Sequence, residues 1–286
     1  MKHTLNIILI LTTCKILSAS ADTNIIRHQQ HRFYAITKKE NTATIIFLHG
    51  GVGNPVFNDT GKVPDIHYLL EGNKAFVPWC MAKGYNLLLP VKDDSLNWLD
   101  NPAYCHRIFK SYARQHIPDT NQIILSGFSD GGSGSYKIFY THPESYKALI
   151  VFNGYPQHRN FNKSVDYAKV KDKTIVFFSS DKDKVIPYEF LLVEYSLQKQ
   201  VNPSSWFYLT KGHHTFGSYT EATFEILFEI LSEQNKCTKT EPIQAFIKND
   251  VPLIMYPFRK SIVRKYGFGR SFYIINKAQR KRFKTE

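Results

Sequence analysis

Acidic side chains and cysteines are the scarce components of this chain. Asp and Glu total 24 against 37 Lys and Arg, and cysteine occurs 4 times in 286 residues. Cys14, Cys80, Cys105 and Cys237 stand too far apart to form paired CxxC knuckles, which excludes a structural zinc module of that kind. A P-loop and a GxGxxG fingerprint are also missing. The glycine-rich HGGVGNP (49–55) lacks the Gly-Lys-Ser/Thr that a phosphate cradle requires, so neither a nucleotide nor any other cofactor is expected. Beyond the first twenty residues no apolar run reaches the ~20 residues that span a bilayer. No internal repeat is visible, so a solenoid is excluded as well.

What is present divides the chain into three parts. Residues 1–21 read as a secretory signal peptide. Lys2 and His3 give a basic start, LNIILILTT (5–13) is an apolar stretch, and Ala19 and Ala21 suit cleavage before Asp22. Export to the periplasm or the medium is the expected localisation. Lipoprotein anchoring at Cys14 is not expected, because Thr13 fits poorly before such a cysteine. In an oxidising compartment Cys80 and Cys105 are the expected pair. Residues 22–235 form the body, with 43% hydrophobic residues in the chain as a whole, ordinary for a packed domain. Residues 236–286 carry 13 Lys/Arg against 3 Asp/Glu, while the other 235 residues carry 24 against 21. Positive charge interleaved with Tyr and Phe in this extension suits an anionic membrane or cell-envelope surface; nucleic acid is not an expected partner. The extension also reads as a solvated segment docked on the body by its apolar residues.

Within the body, short β-branched and aromatic runs alternate with amphipathic stretches. Strands are predicted at 32–37, 43–50, 86–91, 122–128, 148–154, 174–180 and 205–210, with helices around 67–83, 103–116, 131–140, 188–200 and 219–234. In the last helix Phe224, Ile226, Leu227, Ile230 and Leu231 share one stripe. Strand and helix in alternation imply an α/β fold with a mostly parallel sheet covered on both faces.

GFSDG (127–131) fits G-x-S-x-G between a buried strand and a helix. A sharp strand-to-helix turn there forces Ser129 into a strained conformation, and glycine at 127 and 131 lets the two elements pass closely. A serine needs a base, and the base needs an orienting acid. Asp181 and Asp183 end one later strand, and His213 and His214 end the next. The order serine, acid, histidine is thus met at successive strand ends, with two candidates for each partner. No metal ligand set accompanies them.

HGG after a strand, GFSDGG, an Asp followed by KVIP, and GHHTF together resemble secreted α/β-hydrolase-fold serine esterases. The types are polyhydroxyalkanoate depolymerases, feruloyl esterases and carboxylesterases, and the likeness covers residues 25–235. The resemblance implies a Ser129–His214–Asp183 triad, with His213 and Asp181 as alternatives. It also implies an oxyanion hole from the backbone N–H groups of Asp130 and Gly51, no cofactor, no large cap, and a small-molecule or polymeric ester as substrate. A serine peptidase or thioesterase on the same fold would share these residues, and a silent hydrolase-fold protein acting through its basic extension would differ only in activity. Two further expectations concern the site itself. The Asp130 side chain should turn to solvent or to a capping role, and the roughly twenty residues between strands 148–154 and 174–180 should leave the site open and shallow.

Overall fold

The computed structural model describes residues 22–51, 65–155 and 166–232. The expected leader (1–21), the basic extension (236–286), Cys14 and Cys237 lie outside the described residues, as does most of HGGVGNP.

Among the described residues, eight strands form one sheet: β1 (Asp22–His28), β2 (His31–Thr37), β3 (Ala43–Leu48), β4 (Tyr85–Pro90), β5 (Ile123–Phe128), β6 (Ala148–Phe152), β7 (Thr174–Ser180) and β8 (Ser205–Thr210). Their spatial order is β1-β2-β4-β3-β5-β6-β7-β8. The β1–β2 and β2–β4 pairs are antiparallel, and every other pair is parallel. Strands β4, β5 and β6 are buried along their whole length, as their unbroken apolar runs require when both faces are covered.

Alternation along these strands sorts the core into two layers. Ile46, Leu125, Leu149, Val151 and Phe177 face one layer, while Ile45, Phe47, Ile124, Ile150, Phe152 and Phe178 face the other. Among the described residues, three helices cover each side. The short α1 (Ile66–Leu69), α2 (Phe76–Ala82) and α6 (Glu221–Ser232) pack on the second face. The first takes α3 (Pro102–His116), α4 (Asp130–Thr141) and α5 (Tyr188–Lys199). The β6–β7 connection leaves no room for a separate cap domain.

Four expectations change. Strand β1 has no counterpart in the sequence reading; it is an edge strand held by backbone pairing to β2, with Ile25 exposed. The helix expected over 67–83 is two helices, because Glu71 (φ 48°) and Gly72 (φ 75°) turn left-handed and end the first. On α6, Phe224, Leu227, Ile230 and Leu231 are buried, but Ile226 is only half-buried at the margin of the layer. Cys80 and Cys105 are free thiols. They belong to opposite layers, on α2 and α3, and the sheet stands between them, so no disulfide can join them.

Candidate active site

The central strands β3, β5, β6, β7 and β8 run parallel, so their carboxyl ends share one edge. Successive connections go to opposite sides of β3 there, which opens a crevice. The residues described next sit mostly on loops at that edge.

Ser129 follows β5 with φ 54° and ψ −118°, a conformation that non-glycine residues adopt only under constraint. The constraint is steric. A Cβ on Gly131 would stand 1.8 Å from the Leu48 carbonyl oxygen, and one on Gly127 would stand 2.3 Å from that of Gly131. Strand β3, the turn and α4 are therefore in backbone contact. The Ser129 N–H is tied to the Phe152 carbonyl at 2.9 Å, fixing the turn to β6 as well.

The Ser129 hydroxyl lies 2.8 Å from His214 Nε2, and His214 Nδ1 lies 2.7 Å from Asp183 Oδ2. With Nδ1–H donating to the carboxylate, Nε2 is left to accept the serine proton. The Asp183 side chain is fully buried, yet every lone-pair direction is used. Oδ1 accepts from the Val185 and Ile186 N–H groups at 2.8 Å each, and Oδ2 accepts from His214 and from Asn153 Nδ2 at 2.7 Å. Four donors so arranged fix the orientation of this carboxylate. Of the two aspartates ending β7, Asp183 thus meets the imidazole, while the exposed Asp181 accepts from the Gly212 N–H at 2.9 Å. Of the two histidines, His214 reaches Ser129. His213 is exposed, and its carbonyl accepts from the Thr215 N–H.

Residues that the sequence did not single out hold this row in place. Asn153, left-handed at φ 43° and fully buried, donates to Asp183 and accepts from the Tyr219 hydroxyl. Burial pushes that phenol's pKa upward, so it stays a donor. Asn73 Nδ2 donates to the Phe216 and Tyr219 carbonyls at 2.8 and 3.0 Å, and Glu71 Oε2 accepts from the Phe216 N–H at 2.9 Å. The α1–α2 junction therefore clamps the loop that carries His214.

At the end of β3, His49 donates from Nδ1 to the Gly50 carbonyl at 2.8 Å and accepts at Nε2 from the Lys92 N–H at 3.2 Å. Burial pushes its pKa down to about 4, so the ring is neutral and keeps this tautomer. Lys92 Nζ reaches the Gly51 carbonyl at 3.3 Å. Gly51 is exposed beside the site at φ 110°. Asp130 opens α4, where N–H groups of the first turn have no intrahelical acceptor.

The Asp130 side chain does not turn to solvent. It is 2% exposed, because the whole first turn of α4 is packed under the sheet edge. Its charge acts on Lys137, two turns along the same helix. Burial lowers the pKa of that ammonium, while Asp100 and Asp130 hold it up. Lys137 Nζ also donates to the Leu99 carbonyl at 2.9 Å. Among the described residues no group of His, Cys, Asp and Glu could hold a metal ion.

No family model matches the chain. A curated protein, acyl-protein thioesterase 1 homolog 2 of Dictyostelium discoideum, is 26% identical over 176 residues, covering 52% of this chain and 74% of that protein. Among solved structures, a thermostable esterase superposes with a TM-score of 0.54 at 18% identity over 73% of this chain; the match spans 62% of the esterase, less than two thirds of its length. Fluorophosphonate-binding serine hydrolase F of Staphylococcus aureus gives 0.55 at 12% identity over 74% of this chain and 99% of its own. An α/β-hydrolase enzyme from a lagoon-sediment metagenome gives 0.53 at 17% identity, covering 74% and 100%. These likenesses and the strand order agree: the chain has the α/β-hydrolase fold.

Proposed function

We propose that the chain is a serine hydrolase of carboxylic esters, with Ser129 as nucleophile, His214 as general base and acid, and Asp183 as the group that orients the imidazole. One observation carries the reading: the hydrogen-bonded row from Ser129 Oγ through His214 to a buried Asp183, with the serine at a strained strand-to-helix turn. Ser129 Oγ attacks the acyl carbon as its proton passes to Nε2, and Nδ1–H stays on the histidine. The oxyanion rests on the N–H groups of Asp130 and Gly51. As the tetrahedral intermediate collapses, the leaving oxygen takes the proton from Nε2. Water then repeats the sequence and frees Ser129 and the acid.

Cleavage of thioesters is the second reading, favoured by the Dictyostelium relative, whose name is that of an acyl-protein thioesterase. Both readings use the same residues and differ only in the leaving atom. Export under the leader 1–21 and surface attachment through residues 236–286 belong to the proposal, and fractionation of cells expressing the full chain tests them.

The decisive measurement is labelling by a fluorophosphonate together with hydrolysis of p-nitrophenyl acetate and butyrate. Wild type should take one label at Ser129, and Ser129→Ala should take none and lose about four orders of magnitude or more in rate. Near wild-type turnover by the alanine variant refutes the assignment.

A further inference from the structure

Glu71 is an ionisable side chain at this edge that the proposed mechanism does not use. It is exposed, it ends α1 in a left-handed conformation rare for a residue with a Cβ, and it is held at both ends. Its backbone carbonyl would stand 3.0 Å from a Cβ on Gly217, and its Oε2 accepts from the Phe216 N–H. That leaves Oε1 with no donor among the described residues. Glu71 Oε1 and Ser129 Cβ each stand 3.2 Å from the place a Gly50 Cβ would occupy, and Phe128 Cδ1 stands 2.9 Å from it. The carboxylate oxygen and the Ser129 side chain thus flank the same glycine, whose lack of a Cβ lets them approach.

A strut from α1 to the histidine loop would need only one carboxylate oxygen, and an amide would serve as well. A second carboxylate oxygen beside Gly50 and Ser129 does something more, because it favours positive charge in the substrate. Which half of the substrate follows from the histidine. The leaving group must collect its proton from Nε2, so it lies on the histidine side of Ser129, and Glu71 is fastened two residues from His214. Neither Lys92 nor Lys74 pairs with Glu71 among the described residues. Lys92 is 6% exposed, bound to the Gly51 carbonyl and over the Trp98 ring in the opposite core layer from Leu69, Leu70 and Phe216. Lys74 is exposed and forms no ion pair with Glu71 among the described residues.

We propose that Glu71 binds a cationic leaving group, so that the preferred substrates are esters or thioesters of amino alcohols or aminothiols. In these the ammonium stands two or three carbons from the ester oxygen or sulfur. This rests on the hydrolase reading and names its substrate class.

The test compares acetylthiocholine with S-(3,3-dimethylbutyl) thioacetate, which has carbon in place of the charged nitrogen and the same shape. Wild type should favour the cationic thioester by about tenfold or more in kcat/KM at low ionic strength. Glu71→Gln keeps an acceptor for the Phe216 N–H and should lose that preference, whereas a purely structural role would slow both substrates alike and leave the ratio unmoved. Equal rates in wild type, or a preference that survives in Glu71→Gln, overturn the assignment. A second measurement needs no variant: choline should slow fluorophosphonate labelling of wild type at concentrations where 3,3-dimethylbutan-1-ol does not, and equal protection counts against the proposal. If wild type takes no label and cleaves neither thioester, the hydrolase reading itself falls and this inference with it. If it labels and cleaves the neutral thioester without preference, only the role of Glu71 falls.

Discussion

Replacing Gly131 by alanine puts the closest backbone contact of the site to work. The added methyl would sit 1.8 Å from the Leu48 carbonyl oxygen, 2.4 Å from its carbon and 2.6 Å from the His49 carbonyl oxygen. All three are backbone atoms and cannot swing aside as a side chain would. Ordinary contact with an oxygen requires about 3.4 Å, so α4 and the end of β3 must separate by about 1.5 Å. Overpacking of this kind costs typically 1–3 kcal/mol, and unyielding backbone places this case at the upper end. Alanine's better helix propensity returns about 1 kcal/mol. A net loss of about 2 kcal/mol corresponds to a fall of about 4–8 °C in Tm for a body of this size. Chemistry should suffer more than stability, because both Ser129 and the His49–Gly51 loop move apart, and misplacement by about 1 Å can cost 100-fold. Thermal unfolding and the fluorophosphonate labelling rate of purified Gly131→Ala measure the two effects. Gly84→Ala is the control. Gly84 is left-handed at φ 79° with nothing within 4 Å of a new Cβ, so it should lose about 1 kcal/mol and no labelling rate. A Gly131→Ala protein with wild-type Tm and labelling rate would show that strand and helix do not meet as described.

Two further outcomes follow from buried polar groups. Asn153→Asp keeps a residue tolerant of φ 43° but sets a second carboxylate against Asp183. Added negative charge favours protonated His214, so the acid limb of the pH–kcat/KM profile should move to higher pH; an unmoved limb would separate Asn153 from the catalytic row. His49 is neutral in the folded protein with a pKa of about 4 and would ionise near 6.5 when unfolded. The unfolded chain therefore binds the extra proton between these values, and stability present above pH 6.5 is lost as pH falls toward 4, by up to about 3 kcal/mol. His106, lowered to about 4 by burial and by His142 beside it, acts in the same direction. Denaturant midpoints measured from pH 7.5 to 4.5 should fall steadily, and a flat series contradicts the neutral burial of these rings.

Much of the sheet was legible because its central strands are buried on both faces and therefore read as unbroken apolar runs, as in IILSGF (123–128). Strand β1 was not legible. An edge strand draws its stability from backbone pairing, so DTNIIRH carries little pattern. The break between α1 and α2 was missed for a local reason. Asn73 Oδ1 accepts from the Ala75 and Phe76 N–H groups and starts a new helix within what looks like one amphipathic stretch. Ser129 could be singled out because its turn imposes glycine on both sides, a requirement written in sequence order. Asn153, Asn73 and Glu71 act across 30 to 145 residues of separation, and nothing in the composition of their own neighbourhoods records the partner. The solvent-facing alternative for Asp130 failed because sequence shows a helix start but not that the start is walled in.

The separation of Cys80 and Cys105 gives the molecule two built-in probes. Each thiol is sealed in its own hydrophobic compartment, and burial raises the pKa of both, so neither should react with an alkylating agent while its compartment stays shut. Pulsed alkylation under native conditions would then time the opening of each compartment separately, and would tell whether the two halves of this protein breathe together or one at a time.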